Sequence, residues 1–231
     1  MNRRDALRVL GAGAVAGRLG AADAPFRFTK LDHIETNAPN AVRTAEFYAR
    51  AFGGPVWKNK KTERRYVRLG PCYIAIENAR EPYGVDHFSA GIADYQIGEI
   101  HSFLEKRGIP YRDYPSGKDL NVTDPDGIHV QLSADNTWGP LAENTAAMEA
   151  GTFDGEPMFR ASGIDNIVLY VTDVARSTAF YEMIFGMPVR VGRSKIAFVQ
   201  SNRPGVARIG ISAGAHAQLV DPDGLKITVI D

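Results

Sequence analysis

The chain has 231 residues, 44% of them hydrophobic, enough to bury the core of one large or two small domains. Its 27 Lys and Arg balance 27 Asp and Glu, so no global field draws it to nucleic acid or an anionic membrane, and the expected partner is a small molecule. The single cysteine, Cys72, excludes an intramolecular disulfide and any CxxC redox or zinc scheme, leaving metal chemistry to histidine and oxygen ligands.

At the amino terminus, Arg3-Arg4 precede Leu7 and a small-residue apolar run from Val9 to Gly17, and Ala22-Asp23-Ala24 then supplies an A-x-A-like cleavage site before Pro25. Residues 1–24 thus have the layout of a twin-arginine export signal, and a periplasmic or secreted protein is expected. The apolar run is too short to span a bilayer and ends at Arg18, so no membrane anchor is expected. Gly11-Ala12-Gly13-Ala14-Val15-Ala16 fits a loose dinucleotide-binding pattern. No strand feeds it, and Gly20 and Pro25 end any helix at once, so the pyrophosphate-binding geometry is missing.

Residues 31–56 (LDHIETNAPNAVRTAEFYARAFGGPV) align without a gap to residues 164–189 (IDNIVLYVTDVARSTAFYEMIFGMPV), an offset of 133. Asp32/Asp165 and Ile34/Ile167 fall in an expected strand. Asn40 and Asp173 are N-cap types before helical runs carrying Phe47-Tyr48 and Phe180-Tyr181, and Gly53 and Gly186 fit the C-terminal stops. Next comes an expected strand from Val85 to Ile92 and a helix with its period at Ile97, Ile100 and Leu104, closed by Gly108 and Pro110. A second match, VTDPDGIHVQLS (122–133) with LVDPDGLKITVI (219–230), has an offset of only 97. The 36-residue difference is about the size of the segment from Val85 through Gly108, and the second copy is expected to lack its counterpart. The Asp-Pro-Asp-Gly turns join paired strands. The boundaries that follow are a first domain over 25–133, a linker over 134–161 with Trp138-Gly139-Pro140, and a shortened second domain over 162–231.

Paired strand-helix-three-strand modules, a His early in the first strand (L-D-H-I), a downstream V-D-H-F and a DPDG hairpin into the last strand resemble the vicinal oxygen chelate superfamily of glyoxalases, extradiol dioxygenases and bleomycin-resistance proteins, over nearly all of residues 28–231. The resemblance implies an α+β fold in which paired βαβββ modules form an open, U-shaped mixed sheet, followed by the shortened second copy. It implies a divalent metal (Fe, Mn, Ni or Zn) on the concave face, held by His33, His87 and the last-strand position, here Gln131 where Glu is usual. The fourth ligand position of glyoxalases falls near Ile74. His33, His87 and Gln131 make a neutral set without the carboxylate of a 2-His-1-carboxylate site. Strand alternation puts Glu35 on the side of His33 and His129 on the side of Gln131, so these two are the candidate catalytic groups and Glu35 the candidate for the missing charge. His101 is expected at a helix edge, His216 in a loop, Glu77 toward solvent, and Lys58 to Arg65 along a solvated hairpin rim.

The leading expectation is a metal-dependent dioxygenase, lyase or isomerase acting on a small substrate with vicinal oxygens. Gln131 cannot serve as the base of a glyoxalase-type isomerisation, which leaves Glu35 for that role. The alternative is a metal-free protein binding an aromatic or antibiotic-like ligand among Tyr66, Tyr73 and Phe88. In the second copy Asn166 and Thr228 stand where His33 and Gln131 stand in the first, so no metal is expected there. A short second unit leaves a sheet edge to cover, which makes a homodimer the expected assembly.

Overall fold

A computed structural model describes residues 25–53, 56–135, 148–151 and 155–231. The expected export signal, residues 1–24, lies outside them. Two mixed sheets with three helices form the described chain, an α+β architecture. Among the described residues no helix is long and apolar enough to cross a membrane.

The first copy contains two strand-helix-three-strand modules. The first comprises β1 (Phe28–Ala38), α1 (Ala41–Phe52), β2 (Val56–Asn59), β3 (Arg65–Leu69) and β4 (Cys72–Asn78). The second comprises β5 (Gly84–Ile92), α2 (Ile97–Glu105), β6 (Tyr111–Asp113), β7 (Asp119–Thr123) and β8 (His129–Ala134). They join along β1 and β5, which pair antiparallel, while β1 with β4 and β5 with β8 pair parallel. The sheet order is β6-β7-β8-β5-β1-β4-β3-β2-β9. Its last strand, β9 (Met148–Ala150), comes from the stretch read as a linker and pairs with β2. Asn40 caps α1 by accepting a hydrogen bond from the Arg43 amide at 3.0 Å, and Asp173 does the same for the helix of the second copy through Arg176.

The second copy runs β10 (Gly163–Val171), α3 (Val174–Phe185), β11 (Arg190–Val191), β12 (Ser194–Gln200), β13 (Gly205–Ser212), β14 (Ala217–Val220) and β15 (Lys226–Ile230), in sheet order β11-β12-β10-β13-β15-β14. Here the expected deletion is corrected. The strand at Val85–Ile92 does have a counterpart, β13, antiparallel to β10 and parallel to β15 as β5 is to β1 and β8. The counterparts of β2, α2 and β6 are what the second copy lacks. The loss is split on either side of β13, which a single offset difference cannot reveal.

The copies hold each other through the repeated motifs. In each Asp-Pro-Asp-Gly turn the first aspartate accepts hydrogen bonds from two backbone amides of its own turn and one from a tyrosine of the other copy. Tyr48 donates to Asp221 at 3.0 Å, and Tyr181 donates to Asp124 at 3.1 Å. The second aspartate of each turn pairs with an arginine at the start of the other copy's helix, Asp223 with Arg43 and Asp126 with Arg176.

Candidate functional site

Register across the first sheet stacks the polar residues of its concave face in two adjacent rows. One row reads Tyr73, His33, Ser89, Gln131 and the next Ala75, Glu35, His87, His129. Four of these are nearly sealed from solvent: His33 and His87 are each 4% exposed, Gln131 6% and Glu35 8%. Burying this many polar groups on one sheet face is costly unless each finds a partner.

Imidazole geometry is the defining feature. The pairing register shifts between Leu31 and His33, and the bulge at Asp32 lets its carboxylate meet the neighbouring His33 Nδ1 at 3.0 Å. Asp86 meets His87 Nδ1 at 2.8 Å. A carboxylate is an acceptor, so both Nδ1 atoms carry protons and donate. An Nε2 atom left unprotonated then presents a lone pair, and the two Nε2 atoms lie 3.2 Å apart, facing each other. Two lone pairs at that distance repel unless a proton or a cation lies between them. Burial, against the pull of Asp32, holds the His33 pKa below its usual value, which favours the neutral, ligand-competent ring. The Asp86 pKa is held down chiefly by its hydrogen bond to His87.

Two oxygen groups border this gap. Gln131 Oε1 is buried and has no hydrogen-bond partner among the described residues. Glu35 Oε2 lies 4.0 Å from His87 Nε2 and 3.1 Å from an Arg64 guanidinium nitrogen. Ligand atoms of Glu35, Asp86 and His87 also fall within 4.8 Å of one another. Asp86, however, spends its oxygen on His87 Nδ1, which fits the outer support of a ligand histidine better than a ligand. The residues that could hold a divalent ion at this gap are therefore His33, His87 and Gln131, with Glu35 as the adjacent carboxylate.

The cavity, about 250 Å³, is lined by Arg64, Tyr66, Tyr73 and Tyr114 as well as by the residues above. His129 does not line it; it stands exposed at the start of β8, in register with His87. Ile74 is fully buried in the hydrophobic core on the opposite face, so the strand presents Tyr73 and Ala75 to the site where a fourth ligand was expected near Ile74. Phe88 is likewise core, stacked near Tyr181, and cannot line a ligand site on the concave face. Arg64 and Glu77, read as rim and solvent-facing residues, pair with each other, and Arg64 turns inward to Glu35. No local pattern marks Arg64, because one hairpin residue turning inward among basic neighbours has no sequence period. His101 pairs with Asp113 beside α2, and His216 pairs with Asp231 on the surface.

In the second copy the matching positions are Asn166, Val168, Arg208 and Thr228 for His33, Glu35, His87 and Gln131. Asn166 donates to Asp165 at 2.9 Å, the same neighbour geometry that Asp32 gives His33, but with no ring nitrogen to offer a metal.

Residues 163–219 match the model of the Glyoxalase/Bleomycin resistance protein/Dioxygenase superfamily. No curated protein sequence matches the chain. Among solved structures the chain is similar to a catechol 2,3-dioxygenase, at 15% identity and a TM-score of 0.65 over 88% of each chain. It is similar to the 2,3-dioxygenase LapB from Pseudomonas sp. KL28, at 15% identity and a TM-score of 0.66 over 89% of this chain and 93% of that one. The Mn(II)-bound glyoxalase from Novosphingobium aromaticivorans aligns at 12% identity and a TM-score of 0.62 over 88% and 82%. At such identities the likeness is one of fold. The match to the superfamily model thus lies in the second copy, and along the rest of the chain the likeness to these dioxygenases and this glyoxalase is one of fold.

Proposed function

We propose that the protein is an enzyme that binds one divalent metal ion in its first copy and acts, as a dioxygenase, lyase or isomerase, on a small substrate with two neighbouring oxygens. The facing Nε2 atoms of His33 and His87, each ring fixed by a carboxylate at Nδ1, carry this reading. Once bound, the ion would supply Lewis acidity to the two substrate oxygens. Asp32 and Asp86 orient the ligand rings, Gln131 offers its unpaired carbonyl oxygen, and Glu35 provides a carboxylate held by Arg64. The cavity, at about 250 Å³, admits a single ring or a short chain.

Metal loading tests this reading. Protein exposed anaerobically to Fe(II), Mn(II), Ni(II) or Zn(II) should retain one equivalent of ion per chain. The His33→Ala/His87→Ala variant should retain none, and Asn166→Ala/Arg208→Ala should still retain one. A wild type that holds no metal would overturn the proposal and favour a metal-free binding protein. We further propose export through residues 1–24, supported by the order of Arg3-Arg4, apolar run and Ala22-Asp23-Ala24. Fractionation should find the wild type outside the cytoplasm and Arg3→Lys/Arg4→Lys within it; equal distribution of the two would reject a twin-arginine route.

A further inference from the structure

The second copy reverses the charge of its concave face. Register matches the two copies position for position: Tyr73, His87 and His129 of the first correspond to Lys195, Arg208 and Lys226 of the second. The carboxylates that line the first cavity, Glu35, Asp86 and Asp119, give way to Val168, Ala207 and His216. Arg190 joins the new cations, paired directly with Lys195 across β11 and β12. Arg190, Lys195, Arg208 and Lys226 are all exposed, and among the described residues none of them has a carboxylate in ion-pair reach. The acids of this copy are engaged elsewhere. Asp165 accepts from Asn166, Asp173 caps α3, Asp221 and Asp223 are bound to the first copy, Asp231 pairs with His216, and Glu182 lies on α3.

Like charges directly opposite one another on neighbouring strands destabilise a sheet, and this face carries two such pairs, Arg190 with Lys195 and Arg208 with Lys226. β12 and β13 flank β10, so the pairs stand roughly 10 Å apart, with the apolar Ala197 and Val168 between them. Without counterparts of β2 and β6 the face stays open, and Val199 and Val220 on it are 46% and 59% exposed. An open face buries little of a small ligand, whereas a polypeptide can lie across it and reach both pairs. A second copy laid face to face would set these cations against themselves. Nothing between the pairs offers an aromatic platform on which nucleic-acid bases could stack. We propose that the concave face of the second copy docks an acidic polypeptide segment of another protein, with carboxylates at both cation pairs and an apolar side chain over Val168 and Ala197. Docking here needs no metal in the first copy.

The probe is the fluorescein-labelled peptide Glu-Glu-Leu-Val-Leu-Glu-Glu, titrated with full-length protein at low ionic strength and followed by anisotropy. Wild type should bind it saturably, and the same peptide with Lys in place of Glu should not bind. Arg208→Glu/Lys226→Glu and Arg190→Glu/Lys195→Glu should each weaken binding roughly ten-fold or more. Lys61→Glu/Lys106→Glu makes the same change in net charge on exposed residues of the first copy, and should leave affinity within about two-fold. His33→Ala/His87→Ala should bind the peptide as the wild type does, so the docking face and the metal reading stand or fall separately. No binding by the wild type, or an equal loss in Lys61→Glu/Lys106→Glu, would overturn the proposal. A single-stranded oligonucleotide or phosphatidylglycerol vesicles held more tightly than the peptide, and released by Arg208→Glu/Lys226→Glu, would overturn it in favour of a nucleic-acid or membrane partner.

Discussion

His33 and His87 owe their arrangement to their immediate sequence neighbours. In both D-H pairs the aspartate one residue earlier accepts a hydrogen bond from Nδ1–H, which fixes the ring and turns Nε2 into the cavity. Asp32 is the more deeply buried of the two and is also paired with Lys30 at 3.3 Å. Replacing Asp32 with Asn keeps the size and an acceptor oxygen but removes the charge. Metal affinity should fall by about ten-fold or more, read by competition with a chelating dye, with the fold retained. Unchanged affinity would mean that ring orientation comes from packing against Tyr73 alone.

At the scale of the elements, the two copies are joined by tight turns as well as by side chains. Gly70, between β3 and β4, and Gly192, between β11 and β12, hold equivalent places and both have φ of +61°. Each lies against backbone of the other copy: a Cβ on Gly70 would sit 2.5 Å from the Ser162 carbonyl oxygen, and one on Gly192 1.9 Å from that of Thr29. Gly192→Ala therefore combines left-handed strain with a clash against backbone that cannot rotate away. A loss of roughly 2–4 kcal/mol is expected in denaturant unfolding. A loss below about 1 kcal/mol would show that the β11–β12 turn can withdraw from β1 at little cost.

Across the whole molecule, the tyrosine-aspartate pairs make stability depend on pH. Burial raises the pKa of Asp221 and of Asp124, although backbone amides and the tyrosine hydroxyls pull the other way. An acid whose folded pKa is raised favours folding when protonated. Its contribution is complete below the unfolded value of 3.8 and is lost as pH rises through the folded value. Asn at position 221 cannot titrate. The melting temperature of the wild type relative to Asp221→Asn should therefore increase as pH falls from 7 toward 4. A difference that is flat or shrinks over that range would contradict the burial of Asp221 between the copies.

Much of this architecture is local and so was legible in the chain. Caps, helix periods, strand alternation and turn residues depend on neighbours a few positions away, which is why Asn40, Asp173, the DPDG turns and the first-copy modules fall where the sequence puts them. Alternation also placed Glu35 beside His33, because side chains two apart in a strand share a face whatever the strand pairs with. Pairing partners and register are not local. They decided that β13 survives in the second copy, that Tyr73 and Ala75 rather than Ile74 face the site, that His129 stays at the rim, and that Arg64 reaches Glu35 across the hairpin. The sequence alone determined the repeat and the histidine, glutamine and glutamate side chains that line the cavity. Only the tertiary structure brought His33 and His87 together with their Nε2 atoms facing, because they lie 54 residues apart on antiparallel strands whose register no local pattern specifies.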